Sequence, residues 1–548
     1  MKTLIAAINA KYIHSNLAIY YLKHYCGKNH NVQTAEFTIN QYSNDIIKSI
    51  YKSKPDILGF SCYIWSISMI LEIIPTIKKI LPDIKIILGG PEVSYNSREL
   101  LDIVDIIIEG EGEAAFKECL DYWEYNKIKL SDIDGIVYKK DDKIMVTKER
   151  KPLSMDQLPF VYKDINQFNN KIIYYEASRG CPFRCSYCLS SIQKGVRFMP
   201  IERVLNELDH FLQHNVAQVK FVDRTFNANK EFAMKIFRHI IEHDNQVTNF
   251  HFEIATNLLT DDMVEILKEA RVGLIQFEIG VQSTNIKTLS AINRDLDNIK
   301  YQLPNIHQHL DLIVGLPHED YNSFKQSFND VIALRPEQLQ LGFLKVLKGS
   351  QLYYEADKYG IIYKSSPPYE VLFTKYINYD KISRLYTVCN LVDRYYNTNR
   401  FGASLEYLYN MFKSPFNFFE QFAIFWEENG YDEVSHKKQA YYLLLLKFAS
   451  SLENINLELI KELIKWDWLL HENVHNHITE LETIDQDKFK QFNLEVLKDV
   501  DVLNKIGAVS HRSLRIEHFR YDVYNRQPKL EQTAILFNYN KKVTWTKI

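Results

Sequence analysis

The sequence predicts an α/β protein in three parts: a doubly wound parallel sheet, a central partial (β/α)6 barrel and a mostly helical C-terminal domain. Three observations carry this reading. Short apolar runs alternate with amphipathic stretches over residues 1–135. Six further strand–helix units follow one another between residue 171 and about residue 350. Beyond residue 375 glycine becomes scarce, aromatic pairs such as Tyr395-Tyr396 and Tyr441-Tyr442 multiply, and the apolar spacing turns helical. Alternating strands and helices build parallel sheets covered on both faces. A chain of 548 residues also exceeds what one core supports.

In residues 1–135, strands are expected at Thr3–Ile8, Ile57–Ser61, Lys85–Leu88 and Ile106–Ile108. Helices are expected at about Asn16–Cys26, Asn44–Lys52, Ile67–Ile80 and Glu113–Trp123. Ligands of such sheets bind beyond the carboxyl ends of the strands. Three of those ends combine glycine with polar residues: Gly59-Phe-Ser61, Gly89-Gly90-Pro-Glu92 and Glu109-Gly110-Glu-Gly112-Glu113. Glycine lets backbone approach a ligand closely, and Ser61 adds a hydroxyl. One such turn is ordinary. Three on one rim mark a binding edge.

Residues 136–170 read as a connector. Ile136–Thr147 is a polar-tipped hairpin, and Pro152 and Pro159 mark an extended linker. The barrel spans residues 171–374, with strands at Lys171–Ala177, Gln218–Val222, Asn249–Ile254, Leu274–Ile279, Leu310–Val314 and Gln338–Phe343. Long helices follow at Ile201–His214 and Lys230–His243. Functional residues belong at the carboxyl ends of barrel strands. Asp223 and Arg224 follow the second strand, Glu253 ends the third, Glu278 and Gln282 end the fourth, and Gly315 closes the fifth. A carboxylate there can accept hydrogen bonds from ribose hydroxyls, and glycine leaves room for a purine.

The end of the first barrel strand carries the sharpest signal. Cys181, Cys185 and Cys188 form a C-x3-C-x2-C pattern, and they are three of only seven cysteines in the chain. Three thiolates on one loop can hold three corners of a cubane iron–sulfur cluster, whereas a closed cluster takes four. The iron left open then suits a small molecule, as the open position of a catalytic zinc site does. A structural zinc knot would need a fourth ligand close by, and Leu189–Lys194 offers none.

This loop, with Tyr187 before its third cysteine, resembles the signature of the radical S-adenosylmethionine (radical SAM) enzymes. The resemblance implies a [4Fe-4S] cluster on Cys181, Cys185 and Cys188. In that superfamily SAM chelates the fourth iron and is cleaved reductively to a 5′-deoxyadenosyl radical. The segments Phe277–Ser283 and Asp311–Pro317 are similar to barrel segments that contact SAM. The expected SAM residues are therefore Tyr187, Asp223, Arg224, Glu253, Glu278, Gln282 and Gly315. Residues 1–130 resemble the Rossmann-like cobalamin-binding domain of one large radical SAM class. That resemblance points Gly59, Ser61, Gly89, Gly90, Glu92, Gly110 and Gly112 toward cobalamin. The Asp-x-His-x-x-Gly motif that supplies a cobalt ligand elsewhere is absent. His14 is the nearest candidate, and it reads as a hydrogen-bonding or solvated residue. The implied activity is methylation, or another radical modification, of an unactivated carbon. An electron donor such as flavodoxin or ferredoxin would feed the cluster. Residues 375–548 resemble an uncharacterised extension of this class and are the expected place of substrate selection.

Composition narrows the partners. A net charge of −3 gives no electrostatic footprint for nucleic acid. No run reaches the ~18 apolar residues of a membrane span, and the first strand is too short for a signal-peptide core. Cys26, Cys62, Cys119 and Cys389 are scattered without a disulfide framework. The expectation is a cytoplasmic enzyme with a small-molecule or peptide substrate. Two other classes stay open. One is a methylthiotransferase-like, tRNA-modifying enzyme with a second cluster on Cys26, Cys62 and Cys119. The other is a non-catalytic sensor built on the cluster or cobalamin.

Overall fold

The computed structural model describes all residues except 96, 296–302, 473–476, 508–510, 526 and 541–542. The chain divides into two compact units, residues 1–324 with 342–378, and residues 325–341 with 379–548.

The first unit opens with a seven-stranded sheet of β1 (Lys2–Asn9), β2 (Asn31–Thr38), β3 (Ile57–Ser61), β4 (Lys85–Gly89), β5 (Ile106–Ile108), β6 (Ile136–Lys140) and β7 (Lys143–Val146). The spatial order is β2-β1-β3-β4-β5-β6-β7. Strands β1 to β5 run parallel, and β6 and β7 are antiparallel. The direction of winding reverses between β1 and β3, which opens a crevice at their carboxyl ends. Side chains of a strand alternate between faces. Leu4, Ala6 and Ile8 enter one core with the isoleucines of helix Ile67–Ile80, while Ile5 and Ala7 enter the opposite core with Phe116 and Leu120. Burial on both faces explains the unbroken apolar runs of β1, β3 and β4.

Two features differ from the sequence reading. Strand β2 was not legible, because it is an edge strand in which polar side chains such as Asn31, Gln33 and Glu36 interrupt the buried Val32 and Phe37. The hairpin after residue 135 is the antiparallel edge of this sheet, since β6 pairs with β5.

The second sheet holds β8 (Ile173–Tyr175), β11 (Gln218–Phe221), β12 (Asn249–Ile254), β13 (Ile275–Gln282), β14 (His307–Val314) and β15 (Gln338–Phe343) side by side in chain order. Between β8 and β11, β9 (Ser178–Gly180) and β10 (Val196–Phe198) form a small antiparallel pair. One face of the sheet is phenylalanine: Phe226 and Phe221 pack on Phe252 with ring centroids 4.3 and 4.6 Å away. The alternate positions on the same strands are ionisable: Lys220, His251, Glu253, Glu278, His309 and Asp311. Period-two alternation thus separates a greasy outer face from a charged inner one.

The second unit is mostly helical, with helices Tyr379–Leu391, Gly402–Tyr409, Pro415–Glu428, Lys438–Ser450 and Leu457–Leu469. Its tail forms a three-stranded antiparallel sheet of β18 (Leu514–Tyr521), β19 (Leu530–Asn538) and β20 (Thr544–Lys547); β16 (Ile362–Tyr363) and β17 (Val371–Phe373) belong to the first unit. Helix Leu457–Leu469 buries charge only where it is paired. Lys465 meets Glu482 at 2.7 Å and Glu517 at 2.6 Å, and Asp467 accepts the Ala403 and Ser404 amides. Among the described residues no helix is long and apolar enough to cross a membrane.

Candidate active site

Strands β9 and β10 close the loop that carries the three cysteines. Gly180 has φ +104°, and a Cβ there would lie 2.1 Å from the Gly195 carbonyl oxygen. Only glycine lets the two strands meet just before Cys181. The Cys188 amide donates to the Cys185 carbonyl at 3.1 Å, a turn that brings these two residues together. Cys185 is buried, while Cys181 and Cys188 are half-buried, and Cys181 Sγ lies 3.4 Å from the Thr225 hydroxyl. Sequence reasoning missed Arg294. Its guanidinium donates to Cys185 Sγ at 3.5 Å and to the Gly280 carbonyl. The adjoining residues clamp the loop: the Ser186 amide donates to the Ile292 carbonyl at 3.0 Å, and Asn293 Nδ2 donates to the Arg184 carbonyl at 3.3 Å. Burial pushes the Cys185 thiol up, and Arg294 opposes this by favouring the thiolate. Tyr187 is half-buried beside Cys185 and Arg294. The donor set fits a cubane cluster. Among the described residues no three His, Cys, Asp or Glu side chains converge on one ion position. A cubane asks for no such convergence, because each thiolate meets its own iron.

The residues expected at SAM divide into three groups. Arg224, exposed, and Glu253, half-buried, line a cavity of about 700 Å³ together with His14, Tyr174 and Lys220. Burial raises the Glu253 carboxyl, with Arg224 opposing. Asp223, one residue from Arg224, faces away from that cavity. Its buried carboxylate accepts the Ala177 amide at 3.0 Å and the Ser178 hydroxyl at 2.5 Å, and burial pushes it up to about 7. It fixes the strand end ahead of the cysteine loop. Glu278 is engaged by Lys220 at 2.9 Å and His251 at 3.1 Å. Burial raises its carboxyl, but these two partners outweigh burial and hold it at about 2. Gln282, at φ +73°, has a buried Oε1 without a hydrogen-bond partner. Gly315, at φ +86°, has its glycine explained by packing, since a Cβ would lie 2.8 Å from Val371.

Six of the seven residues expected at cobalamin line a second cavity of about 120 Å³: Gly59, Ser61, Gly89, Gly90, Gly110 and Gly112. Gly90 and Gly110 line the larger cavity as well. A Cβ on Gly90, at φ +114°, would lie 2.6 Å from the Cys62 carbonyl, whereas one on Gly110, at φ +80°, would project into open space. A rim bare of side chains, over a floor of Ile5, Ile87, Ile108 and Phe116, gives a broad, partly apolar ligand such as cobalamin a face to lie on, with only one part of it entering the small cavity. Glu92 lines neither cavity, and its carboxylate accepts the Tyr369 hydroxyl. His14 Nδ1 lies 2.6 Å from the Tyr174 hydroxyl, and burial keeps its imidazole below the ordinary histidine range. A second missed residue is Trp65. It stacks on Tyr63 at 4.5 Å and 7°, donates Nε1 to the Ile8 carbonyl at 3.1 Å, and stays 44% exposed at the cavity wall.

The N-terminal cysteines are placed differently. Cys62 belongs to one core of the first sheet, and Cys26 and Cys119 belong to the opposite one. Burial raises all three thiols, Cys26 to about 12. Cysteines on opposite faces of a sheet cannot share a cluster, which removes the basis for the methylthiotransferase alternative.

Residues 3–120 match the B12 binding domain, residues 175–331 match the radical SAM superfamily, and residues 357–537 match a family described as protein of unknown function, DUF4080. The cobalamin-dependent radical SAM methyltransferase TokK of Streptomyces tokunonensis is 26% identical over 330 residues, which cover 55% of this chain and 48% of TokK. An uncharacterized methyltransferase of Pyrococcus horikoshii is 26% identical over 330 residues, covering 55% of this chain and 70% of that protein. The chain thus spans about half the length of TokK and more of the archaeal relative. Among solved structures, the radical SAM methyltransferase TsrM of Kitasatospora setae, with cobalamin and a [4Fe-4S] cluster bound, superposes with TM-score 0.53 at 13% identity over 67% of this chain and 76% of TsrM. The cobalamin-dependent radical SAM enzyme OxsB gives TM-score 0.57 at 15% identity over 90% of this chain and 75% of OxsB. At these identities the structural likeness establishes fold. One chain thus carries a stretch matching the B12 binding domain and a stretch matching the radical SAM superfamily, the domain pair of the cobalamin-dependent radical SAM enzymes that it resembles.

Proposed function

We propose that this enzyme methylates an unactivated carbon of a small-molecule or peptide substrate, using a [4Fe-4S] cluster, SAM and cobalamin. One observation carries the reading. The 700 Å³ cavity is lined both by rim residues of the first sheet, Gly90 and Gly110, and by Gly180, Arg224 and Glu253 of the barrel. A substrate held there would touch both halves of the chemistry.

When bound, SAM on the cluster supplies a hydrogen-abstracting radical, and cobalamin supplies a transferable methyl group. The chain's own work is placement and shielding. Cys181, Cys185 and Cys188 would hold the cluster. Tyr187, Arg224, Glu253, Gln282 and Gly315 would surround SAM, with Asp223 and Glu278 fixing the strand ends beneath it. Gly59, Ser61, Gly89, Gly90, Gly110 and Gly112 would receive the corrin. Tyr63, Trp65, Tyr95 and Tyr174 line the cavity and would keep water from reactive species. A low-potential electron carrier, flavodoxin or ferredoxin, would reduce the cluster. The segments 1–135, 136–170, 171–374 and 375–548 serve as working divisions, the last selecting the substrate.

The test is anaerobic purification, reconstitution with iron and sulfide, and a search of cell extracts for a mass gain of one methylene. That gain should require both SAM and cobalamin. Cys181→Ala, Cys185→Ala and Cys188→Ala together should remove iron and all SAM cleavage. A full cubane spectrum in the triple variant, or wild-type protein that never retains cobalamin, would refute the assignment.

A further inference from the structure

Glu113 opens the helix Glu113–Tyr125 and is only 5% exposed. Its Oε1 accepts Arg179 Nη2 at 2.6 Å. Its Oε2 is buried and has no hydrogen-bond partner. A buried charged oxygen without a donor is costly and calls for an explanation. The side chain carrying it lines both cavities, the small one under the glycine rim and the large one.

The surroundings say what kind of group is missing. The Arg179 guanidinium is spread over three carboxylates: Nε meets Glu176 at 2.9 Å, Nη1 meets Glu111 at 3.2 Å and Nη2 meets Glu113 at 2.6 Å. Arg197 also engages Glu111. Two guanidinium groups are thus shared among three carboxylates, and none of their donors reaches Glu113 Oε2. A hydrogen-bond donor suits that spot, and an anion does not. The network also spans the site. Glu111 and Glu113 flank Gly112 on the cobalamin-side rim, while Arg179 stands two residues before Cys181.

We propose that Glu113 Oε2 accepts a hydrogen bond from a peripheral carboxamide of cobalamin, and that Arg179 is the residue positioning Glu113 to do so. This rests on the cobalamin reading above. One guanidinium then fixes the cluster loop and the corrin rim relative to each other.

The experiment titrates the full-length chain with hydroxocobalamin by absorbance and equilibrium dialysis. Glu113→Gln keeps a carbonyl oxygen for Arg179 and turns the free acceptor into an NH2 donor, so donor meets donor. Its affinity should fall about 10-fold or more, as expected for a lost charge-assisted bond. Arg179→Lys keeps the charge but loses the planar fork, and should also weaken binding. The two losses should not add in the double variant, and reconstituted iron content should hold in Glu113→Gln. The unaltered chain provides a check that is independent of folding. Cobalamin derivatives with a single side-chain carboxamide converted to carboxylate should include one isomer that binds about 10-fold or more weaker, because an anion would face Glu113. Equal affinities for all isomers, or unchanged binding by Glu113→Gln, would overturn this inference alone. Failure of the unaltered chain to bind hydroxocobalamin would overturn the cobalamin reading itself.

Discussion

Arg294 places a cation 3.5 Å from the sulfur of Cys185 and is anchored there by the Gly280 carbonyl. A fixed positive charge beside a cluster stabilises the added electron. Arg294→Gln should therefore retain iron but lower the cluster's reduction potential by tens of millivolts, read by a redox titration of the paramagnetic signal. Two carboxylates should pull stability in opposite directions with pH. Asp223 rises from 3.8 to about 7, so the folded state keeps its proton longer than the unfolded chain. Its contribution is complete below about pH 4 and is lost as pH rises toward 7. Glu278 falls from 4.5 to about 2, so its contribution is complete above about pH 4.5 and is lost as pH falls toward 2. At about 1.4 kcal/mol per pH unit, the Asp223 shift amounts to roughly 4 kcal/mol and the Glu278 shift to roughly 3 kcal/mol. Asp223→Asn should flatten the stability profile between pH 4 and 7, and Glu278→Gln should flatten the acid side, both measured as urea midpoints against pH.

At the level of elements, glycines at strand ends separate packing from binding. Gly180→Ala would drive a Cβ to 2.1 Å from a backbone carbonyl, which must break the β9–β10 closure. Iron content after reconstitution should fall with it, although every cysteine is present. Gly110→Ala meets open space and should cost only the ~1–2 kcal/mol of a left-handed backbone. A thermal melt and an iron assay on the two variants should show this contrast, and equal damage would contradict it. The phenylalanine face of the barrel has no such tolerance. Phe252 touches Phe221, Phe226, Phe237 and Phe277, so Phe252→Ala should cost about 3–5 kcal/mol in chemical denaturation.

For the whole molecule, two compact units imply two cooperative transitions rather than one. Calorimetry should give a measured enthalpy larger than the van't Hoff value. Hydroxocobalamin should raise only the transition of the first unit, by about 2.7 kcal/mol at a hundredfold excess over Kd. A single transition that shifts as a block would mean the units unfold together.

The sequence by itself determined whatever depends on neighbours along the chain. The spacing of Cys181, Cys185 and Cys188 sets a three-ligand loop before any folding is considered. Strand ends with glycine are legible because apolar runs and the turns after them are local patterns. Helix Ile67–Ile80 and strands β3, β5, β12 and β15 stand where periodicity puts them. Only the tertiary structure decided which way a side chain faces and what it meets. Asp223 and Arg224 are adjacent, yet one braces the backbone and the other enters the cavity. Arg294 reaches Cys185 across 109 residues, Glu278 reaches Lys220 across 58, and Arg179 reaches Glu113 across 66. Cys26 and Cys119 lie on helices that cover one face of the first sheet, whereas Cys62 follows β3 into the core on the other face. The physical reason is the same throughout. Propensity and spacing act over a few residues, while charge pairing, burial and cavity shape come from strands brought side by side.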